Sequence, residues 1–409
     1  MGLSCKIKDL CERIGSGGTP SRKNKSYYNL GNIKWLKTKE LDDIKIYDTE
    51  EKITEEGLKK SSAKLYPKDT IVMAMYGATV GKLGIIKEEM CTNQACCNMV
   101  VDSNKCNYKF LYYSLLYNRE SIINLANGAA QQNLSVGVIG DYEINLPSLE
   151  EQEKIADILS SLDDKVELNN EMNKTLEEMA QSIFKRWFVD FEFPNEDGKP
   201  YKSSGGEMVD SELGMIPKGW EVKCIYDLAE YINGTSFKAK DYSEKGLPII
   251  KIAELKNGVT DGTKFFSGEK DKKFYLKNGD ILFSWSGNPD TSIDTFIWDK
   301  GDAILNQHIF KVIPKFDKGY AFTYLMLKYL KSTFTHIARN KQTTGLGHVT
   351  VKDLKELKIA LCFSKIKEFN EVAQPIVDLI FENNMNIEQL NKIRDSLLPK
   401  LMSGEIRVK

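Results

Sequence analysis

Residues Leu149–Phe188 read LEEQEKIADILSSLDDKVELNNEMNKTLEEMAQSIFKRWF, a run with no glycine and no proline. Glu, Lys, Leu, Met, Ala and Gln dominate it, all good helix formers. Pro147 and Ser148 precede it, Glu150 and Glu151 enter its first turn, and Lys185 and Arg186 close its last. Anions first and cations last suit the helix dipole. Apolar residues recur at spacings of four and three: Ile155, Leu159, Leu162, Val166, then Leu176, Ala180, Ile183 and Trp187. Only Asn169 and Asn173 interrupt that seam, so the stretch reads as a coiled-coil helix. At 1.5 Å per residue it predicts a rod of about 60 Å, longer than a packed domain needs. Such a helix requires a partner.

Sliding the sequence on itself supplies one. At a shift near 214 positions the seam falls on Phe369, Ala373, Ile376, Ile380, Asn383, Ile387, Leu390, Arg394, Leu397 and Leu401, and Asn169-Asn170 falls on Asn383-Asn384. The match extends backwards through the chain. Leu134–Leu146 meets Val349–Leu361, Asn93-Gln94 meets Asn306-Gln307, and DTIVMAMYG from Asp69 meets GDILFSWSG from Gly279. WLKTKEL from Trp35 meets IIKIAEL from Ile249. The chain is therefore expected to be a tandem duplication, each copy a globular domain followed by a long helix. The boundaries read as 1–148 and 221–362 for the domains, 149–189 and 363–409 for the helices, and 190–220 for an irregular, exposed linker rich in Pro, Gly and Ser. Two helices related by a pseudo-twofold axis should pack antiparallel. Asn169 and Asn383 would then lie near mid-rod, where an asparagine layer can fix register at some cost in stability.

Composition fits a chain of 409 residues with 41% hydrophobic and 28% charged side chains. No apolar run reaches the length of a membrane span, and MGLSCKIKDL lacks the apolar core of a signal peptide, so a cytoplasmic protein is expected. The eight cysteines show no C-x-x-C spacing, and three histidines lie far from them, so neither zinc nor a disulfide framework is expected. The net charge of −1 hides a small positive excess on each globular half and an acidic first helix. The globular halves, not the rod, are the candidates to meet a polyanion.

Three loops in each half carry the polar side chains suited to that task. In the first half these are the exposed GSGGTPSRK loop (Ser16, Gly17, Gly18, Thr19, Ser21, Arg22, Lys23), the turn around Tyr76 and Thr79 with Lys82 beyond it, and Gln131, Gln132 and Asn133. The glycines would let backbone N–H groups approach a phosphate, although the loop lacks the G-K-[ST] of a nucleotide P-loop. Gln and Asn suit adenine edges; Arg and Lys suit guanine. In the second half the matching positions hold Asn233, Thr235 and Lys238; Ser284, Trp285, Ser286 and Asn288; and Lys341, Gln342, Thr343, Thr344 and His348. A common scaffold with different tips is what two readers of different sequences require.

Four stretches carry a family resemblance. FKRWFVDFEFP (Phe184–Pro194) followed by SELGMIPKGW (Ser211–Trp220), LPSLEEQEKIADIL (Leu146–Leu159) and LLPKLMSGEI (Leu397–Ile406) resemble the specificity subunits of type I restriction-modification systems. The resemblance covers essentially the whole chain. It implies an α+β fold of two mixed α/β target recognition domains, each reading half of a split, asymmetric site in double-stranded DNA, separated by two antiparallel spacer helices. It further implies two methyltransferase subunits docked on those helices and a motor-nuclease (restriction) subunit joining for cleavage. S-adenosylmethionine, ATP and magnesium would belong to those partners, leaving this chain without cofactor, metal or catalytic residue. The chain departs from the pattern in having no IPxGW element before Asp9, and KQTTGLGHVT lacks the Gln-Asn pair of the first copy. Two other classes compete: a coiled-coil assembly protein with protein-binding ends, and a stand-alone nuclease. For the latter, Glu254-Leu255-Lys256 and Glu356-Leu357-Lys358 satisfy E-x-K, but Glu40, which matches Glu254, is followed by Leu41 and Asp42.

Overall fold

A computed structural model describes residues 3–125, 133–342 and 345–408. Its elements divide into two compact units, 1–165 with 390–409, and 166–389. The helices do not form a segment of their own: each unit takes in a globular domain and a stretch of both long helices. Those helices are Leu149–Phe188 and Phe363–Met402, forty residues each, and both ends are offset by 214 (363 − 149 and 402 − 188). No helix among the described residues is long and apolar enough to cross a membrane.

The first unit holds a five-stranded sheet in the order Cys11–Ser16, Cys96–Val101, Ile71–Ala74, Leu83–Ile86, Ile44–Ile46. A smaller sheet runs Lys52–Ile53, Ile33–Leu36, Met90–Thr92, Leu65–Tyr66, with Trp35 parallel to Cys91. Leu3–Lys6 pairs antiparallel with Glu143–Leu146. The aromatic run YKFLYYSLLY forms the helix Tyr108–Tyr117, its start capped by Asn107, whose side chain accepts from the Lys109 and Phe110 amides. Phe110, Leu111 and Leu115 from that helix bury against Ile155, Ala156 and Leu159 of the first long helix and Leu401 and Met402 of the second.

In the second unit the layout returns. One sheet runs Ala229–Asn233, Ile309–Pro314, Ile281–Ser284, Asp294–Ile297; the other runs Phe265–Phe266, Leu247–Ile250, Ala303–Leu305, Tyr275–Leu276, again with one parallel pair, Ile249 to Ile304. Glu221–Cys224 pairs with Lys358–Leu361 as Leu3–Lys6 does in the first unit. The fold is α+β, built from two mixed domains that share the order of four strands in each sheet, the first adding Ile44–Ile46 at the edge of its larger one.

Within each unit the two long helices run antiparallel, because partner numbers fall on one as they rise on the other. In the first unit Asp163 accepts from Arg394 at 2.8 Å, while Ile155 and Leu159 share a core with Leu397 and Leu401. In the second, Asn173 meets Asn383 and Asn384, and Trp187 packs edge-on against Phe369 at 5.7 Å. Of the expected seam, Ile155, Leu159, Asn169, Ile380, Asn383 and Leu401 are buried; Leu162, Val166, Leu176, Ile183, Ile376, Ile387, Leu390 and Leu397 are half-buried.

The asparagine layer differs from the expected one. Asn383 Nδ2 donates to Asn173 Oδ1 at 2.9 Å, and Asn173 Nδ2 donates to Asn384 Oδ1 at 2.8 Å. Asn169 is 1% exposed and its Nδ2 has no partner. The reason lies in the repeat. Applying the same shift to the bonded pair (173 + 214 = 387; 383 − 214 = 169) makes Asn169 the counterpart of Asn383, and Ile387 the counterpart of Asn173. Isoleucine has nothing to offer an amide. Asn169→Leu should therefore raise stability by about 1–2 kcal/mol, whereas Asn383→Leu, which strands Asn173, should lower it by a similar amount. Urea titrations of the two variants check this; a loss in both would refute the assignment.

The segment expected to be an exposed linker is packed. Met208–Ser211 and Gly214–Pro217 form a hairpin, and Phe193, Ile216 and Trp220 are buried in the core of the second unit. Phe193 stacks on Tyr201 at 4.6 Å and on Trp220 at 5.0 Å, while Trp220 also meets Phe188 at the end of the first long helix. Its glycines and serines mark turns between anchoring aromatics, not a free tether.

Candidate nucleic-acid interface

The first loop of each domain is held against the turn that follows the middle strand of the smaller sheet. In the first unit Gly17 N–H donates to Cys96 O at 3.2 Å and Gly18 N–H to Thr92 O at 2.9 Å. In the second, Gly234 N–H donates to Ile309 O at 3.0 Å and Thr235 N–H to Leu305 O at 3.1 Å. The turns are tied in the same manner, Asn93 N–H to Leu36 O at 2.9 Å and Asn306 N–H to Ile250 O at 3.0 Å. The approach is too close for a side chain. A Cβ on Gly17 would stand 2.2 Å from Thr92 O, and one on Gly234 would stand 2.0 Å from Asn306 O. Each domain thus carries one rigid two-loop knuckle, with these three bonds at matching positions.

This corrects the expected role of the first loop. Gly17 and Gly18 are buried, and their N–H groups serve the protein's own carbonyls instead of lining an open phosphate cradle. Ser16 lies in the strand and pairs with Cys97. Thr19 donates to Gln94, and Ser21 and Lys23 are exposed. Arg22 lies over the rings of Tyr28 and Trp35 at 4.4 and 4.9 Å and pairs with Glu51 at 2.5 Å. With Lys37 also on Glu51 at 2.6 Å, Arg22 and then Lys37 hold that carboxyl down to about 2. The folded value lies below the unfolded value of about 4.3, so the cluster stabilises the first unit above that pH and is lost as pH falls towards 2. Glu51→Gln should flatten this part of the acid-unfolding curve; an unchanged curve between pH 4.3 and 2 would exclude the cluster as a source of acid sensitivity.

Elsewhere the nominated side chains separate into presented and consumed. Tyr76 and Thr79 are half-buried, Tyr76 packing against the core; Lys82 is paired with Asp42 at 2.9 Å and Asp43 at 3.3 Å. Asn133 is exposed, whereas Gln131, Gln132, Thr343 and Thr344 lie outside the described residues. Asn233 accepts from Trp285 Nε1 at 3.1 Å, and the Trp285 ring is half-buried, 5.1 Å from His308 and 5.7 Å from Phe310. Lys238 is exposed and, like Lys23, makes no ion pair among the described residues. Ser284 is corrected outright: it is 0% exposed at the end of the strand Ile281–Ser284, with an unpartnered hydroxyl. All four residues of that strand are buried, so it is covered on both faces and leaves Ser284 no outward side. Ser286 pairs with His348 in a short ladder, Asn288 caps the helix Pro289–Ser292, and Lys341 is held by Asp353 at 2.5 Å. Gln342 is exposed.

Two exposed glutamines were matched by the repeat but not nominated: Gln94 and Gln307, at the tips of the two knuckles. Their signal was their retention at matching positions in copies whose surrounding loop residues differ.

Glu254 has no catalytic geometry. Its carboxylate accepts from Lys251 N–H at 3.0 Å and Thr263 Oγ1 at 3.2 Å, and Glu40 does the same work for Lys37 N–H at 3.0 Å. Both are helix-start caps. Glu356 is exposed beside Lys352. Among the described residues no three His, Cys, Asp or Glu side chains are grouped to hold a metal.

A family model described as the type I restriction modification DNA specificity domain matches residues 4–178 and again residues 217–368. The chain belongs to this family. The MjaIX type I restriction enzyme specificity subunit of Methanocaldococcus jannaschii is 31% identical over 98% of this chain and 93% of its own length. The HindI specificity subunit of Haemophilus influenzae is 26% identical over 73% of this chain and 77% of its own. The crystal structure of a type I restriction-modification system S subunit from M. genitalium has the same fold, with a TM-score of 0.60 at 16% identity, covering 98% of this chain and 96% of that one. A DNA specificity subunit selects sequence and leaves the chemistry to others, which agrees with carboxylates that serve as caps.

Proposed function

We propose that this specificity chain reads a two-part, asymmetric site in double-stranded DNA, one half with each globular domain. The observation that carries the reading is the duplicated knuckle: one hydrogen-bonded framework, with exposed Ser21 and Lys23 on its loop in one domain and exposed Asn233 and Lys238 in the other. Base edges would supply selectivity and lysines at phosphates would supply register. The chain works in complexes with methyltransferase and restriction subunits; two methyltransferase subunits would dock on the long helices. S-adenosylmethionine, ATP and magnesium would be bound by those partners.

In this reading the helices set the number of base pairs between half-sites. Inserting one helical turn at matched positions of both helices should change that spacing and leave the two half-sites as they are. Methylation mapping in a host carrying the altered chain reports both together. Altered half-sites with an unchanged spacer would refute the ruler.

A further inference from the structure

We propose that Gln94 and Gln307 are the base-reading side chains common to the two domains, each contacting the major-groove edge of an A·T pair at the corresponding place in its own half-site. The inference rests on the reading of the chain as a DNA-specificity subunit and extends it to two residues.

The argument begins with what the neighbouring asparagines already do. Asn93 Oδ1 accepts from Ala95 N–H and the Cys96 thiol, both at 3.2 Å, and Asn306 Oδ1 accepts from Gln307 N–H at 2.9 Å. Those amides shape the turn. The glutamines that follow them do not: both are exposed, and the Gln307 side chain makes no hydrogen bond among the described residues. Gln94 accepts from Thr19 alone, which leaves a second lone pair on Oε1 and both Nε2 hydrogens for another partner.

The backbone beneath each is unusually well fixed. Gly17 and Gly234 allow the two loops to touch backbone to backbone, and Gln307 N–H is further tied to Thr235 O at 2.9 Å. On a rigid, outward tip the backbone is already ordered, so only the side chain's own rotamers remain to be fixed when a partner binds. A carboxamide offers one donor and one acceptor side by side, and adenine presents the complementary N7 and N6 in the major groove. The glycine and the asparagine that the two knuckles also share are spent on the turn, so glutamine at both tips is the shared residue left to match a feature common to both half-sites.

The test uses the full chain in its native complex and random-sequence DNA, scoring selection base by base. Gln94→Ala should relax one adenine in one half-site by about 5- to 150-fold, the range of a bidentate amide–adenine pair. Gln307→Ala should relax one adenine in the other half-site, and neither should shift the melting temperature. Gln94→Glu should move the preference at that position towards cytosine, whose amino group a carboxylate accepts. Unchanged selection by the variants alongside a selective parent would overturn this proposal alone. Uniform weakening on every sequence with a shallower salt dependence would make these phosphate contacts, and a lowered melting temperature would make them turn residues; either overturns it. A parent complex that selects no sequence would sink the DNA-reading function itself.

Discussion

Phe184→Ala should cost the second unit about 3–5 kcal/mol, the range for removing a fully buried ring. Phe184 is 0% exposed, with ring centroids of Phe188 at 5.2 Å, Tyr329 at 5.5 Å, Phe322 at 5.7 Å and Phe369 at 6.0 Å. Those partners come from both long helices and from the domain helix Tyr320–Tyr329, so one deletion loosens three elements at once. The Asp163–Arg394 pair of the first unit is a lesser support. Its side chains are 24% and 27% exposed, and solvent screens such a pair to about 1 kcal/mol or a little more. Denaturant unfolding of Phe184→Ala and Arg394→Met should rank them in that order. Equal losses, or a cost below 1 kcal/mol for Phe184→Ala, would contradict the packing account.

The second large effect is at the knuckles. Gly17→Ala and Gly234→Ala each place a methyl group about 2 Å from backbone oxygen, where no side-chain rotation relieves the clash. Overpacking of this kind costs about 3 kcal/mol or more when backbone must move. Each variant should also lose selection of one half-site while keeping the other. Gly77 supplies the control. Its φ is +88° and a Cβ there would meet nothing within 4 Å, so Gly77→Ala should cost only about 1 kcal/mol of backbone strain. Thermal melts and base-by-base selection on the three variants decide the matter. Wild-type selection by Gly234→Ala at both halves would show that the second knuckle does not position a reader.

Periodicity made the frame legible and composition misled about the loops. The run without breakers between Leu149 and Phe188 is one helix with those ends, and its repeat partner, expected within 363–409, is the helix Phe363–Met402. A heptad phase states which face is buried but not which residue lies across from it, so Asn169 was paired with Asn383 when Asn173 holds that place. In the segment from Asp190 to Trp220, averaging over many Gly, Ser and Pro concealed three anchoring residues, Phe193, Ile216 and Trp220. At GSGGTP the letters show amides able to approach an anion. Only the fold shows that Cys96 and Thr92 have already engaged them. Gln94 and Gln307 were in plain view in the repeat alignment, but a side chain's freedom from local bonding is a property of the folded turn.

The layer of Asp163, Arg394 and Tyr113 bears on how chains of this design can be recombined. Tyr113 donates to Asp163 at 2.6 Å, and Asp163 accepts from Arg394. At the repeat-equivalent places of the two helical residues (163 + 214 = 377; 394 − 214 = 180) stand Val377 and Ala180, both 0% exposed. One layer is therefore ionic and its counterpart apolar, and the ionic one is assembled from three distant parts of the sequence. A chimera that imports residues 3–146 alone must bring a hydroxyl at position 113. One that imports the first long helix as well must bring its acid to meet the recipient's arginine. Crossovers at the helix starts split this trio in two, and crossovers within a helix split it differently, so the match of the parents at these three positions enters the stability of a chimera alongside its loops.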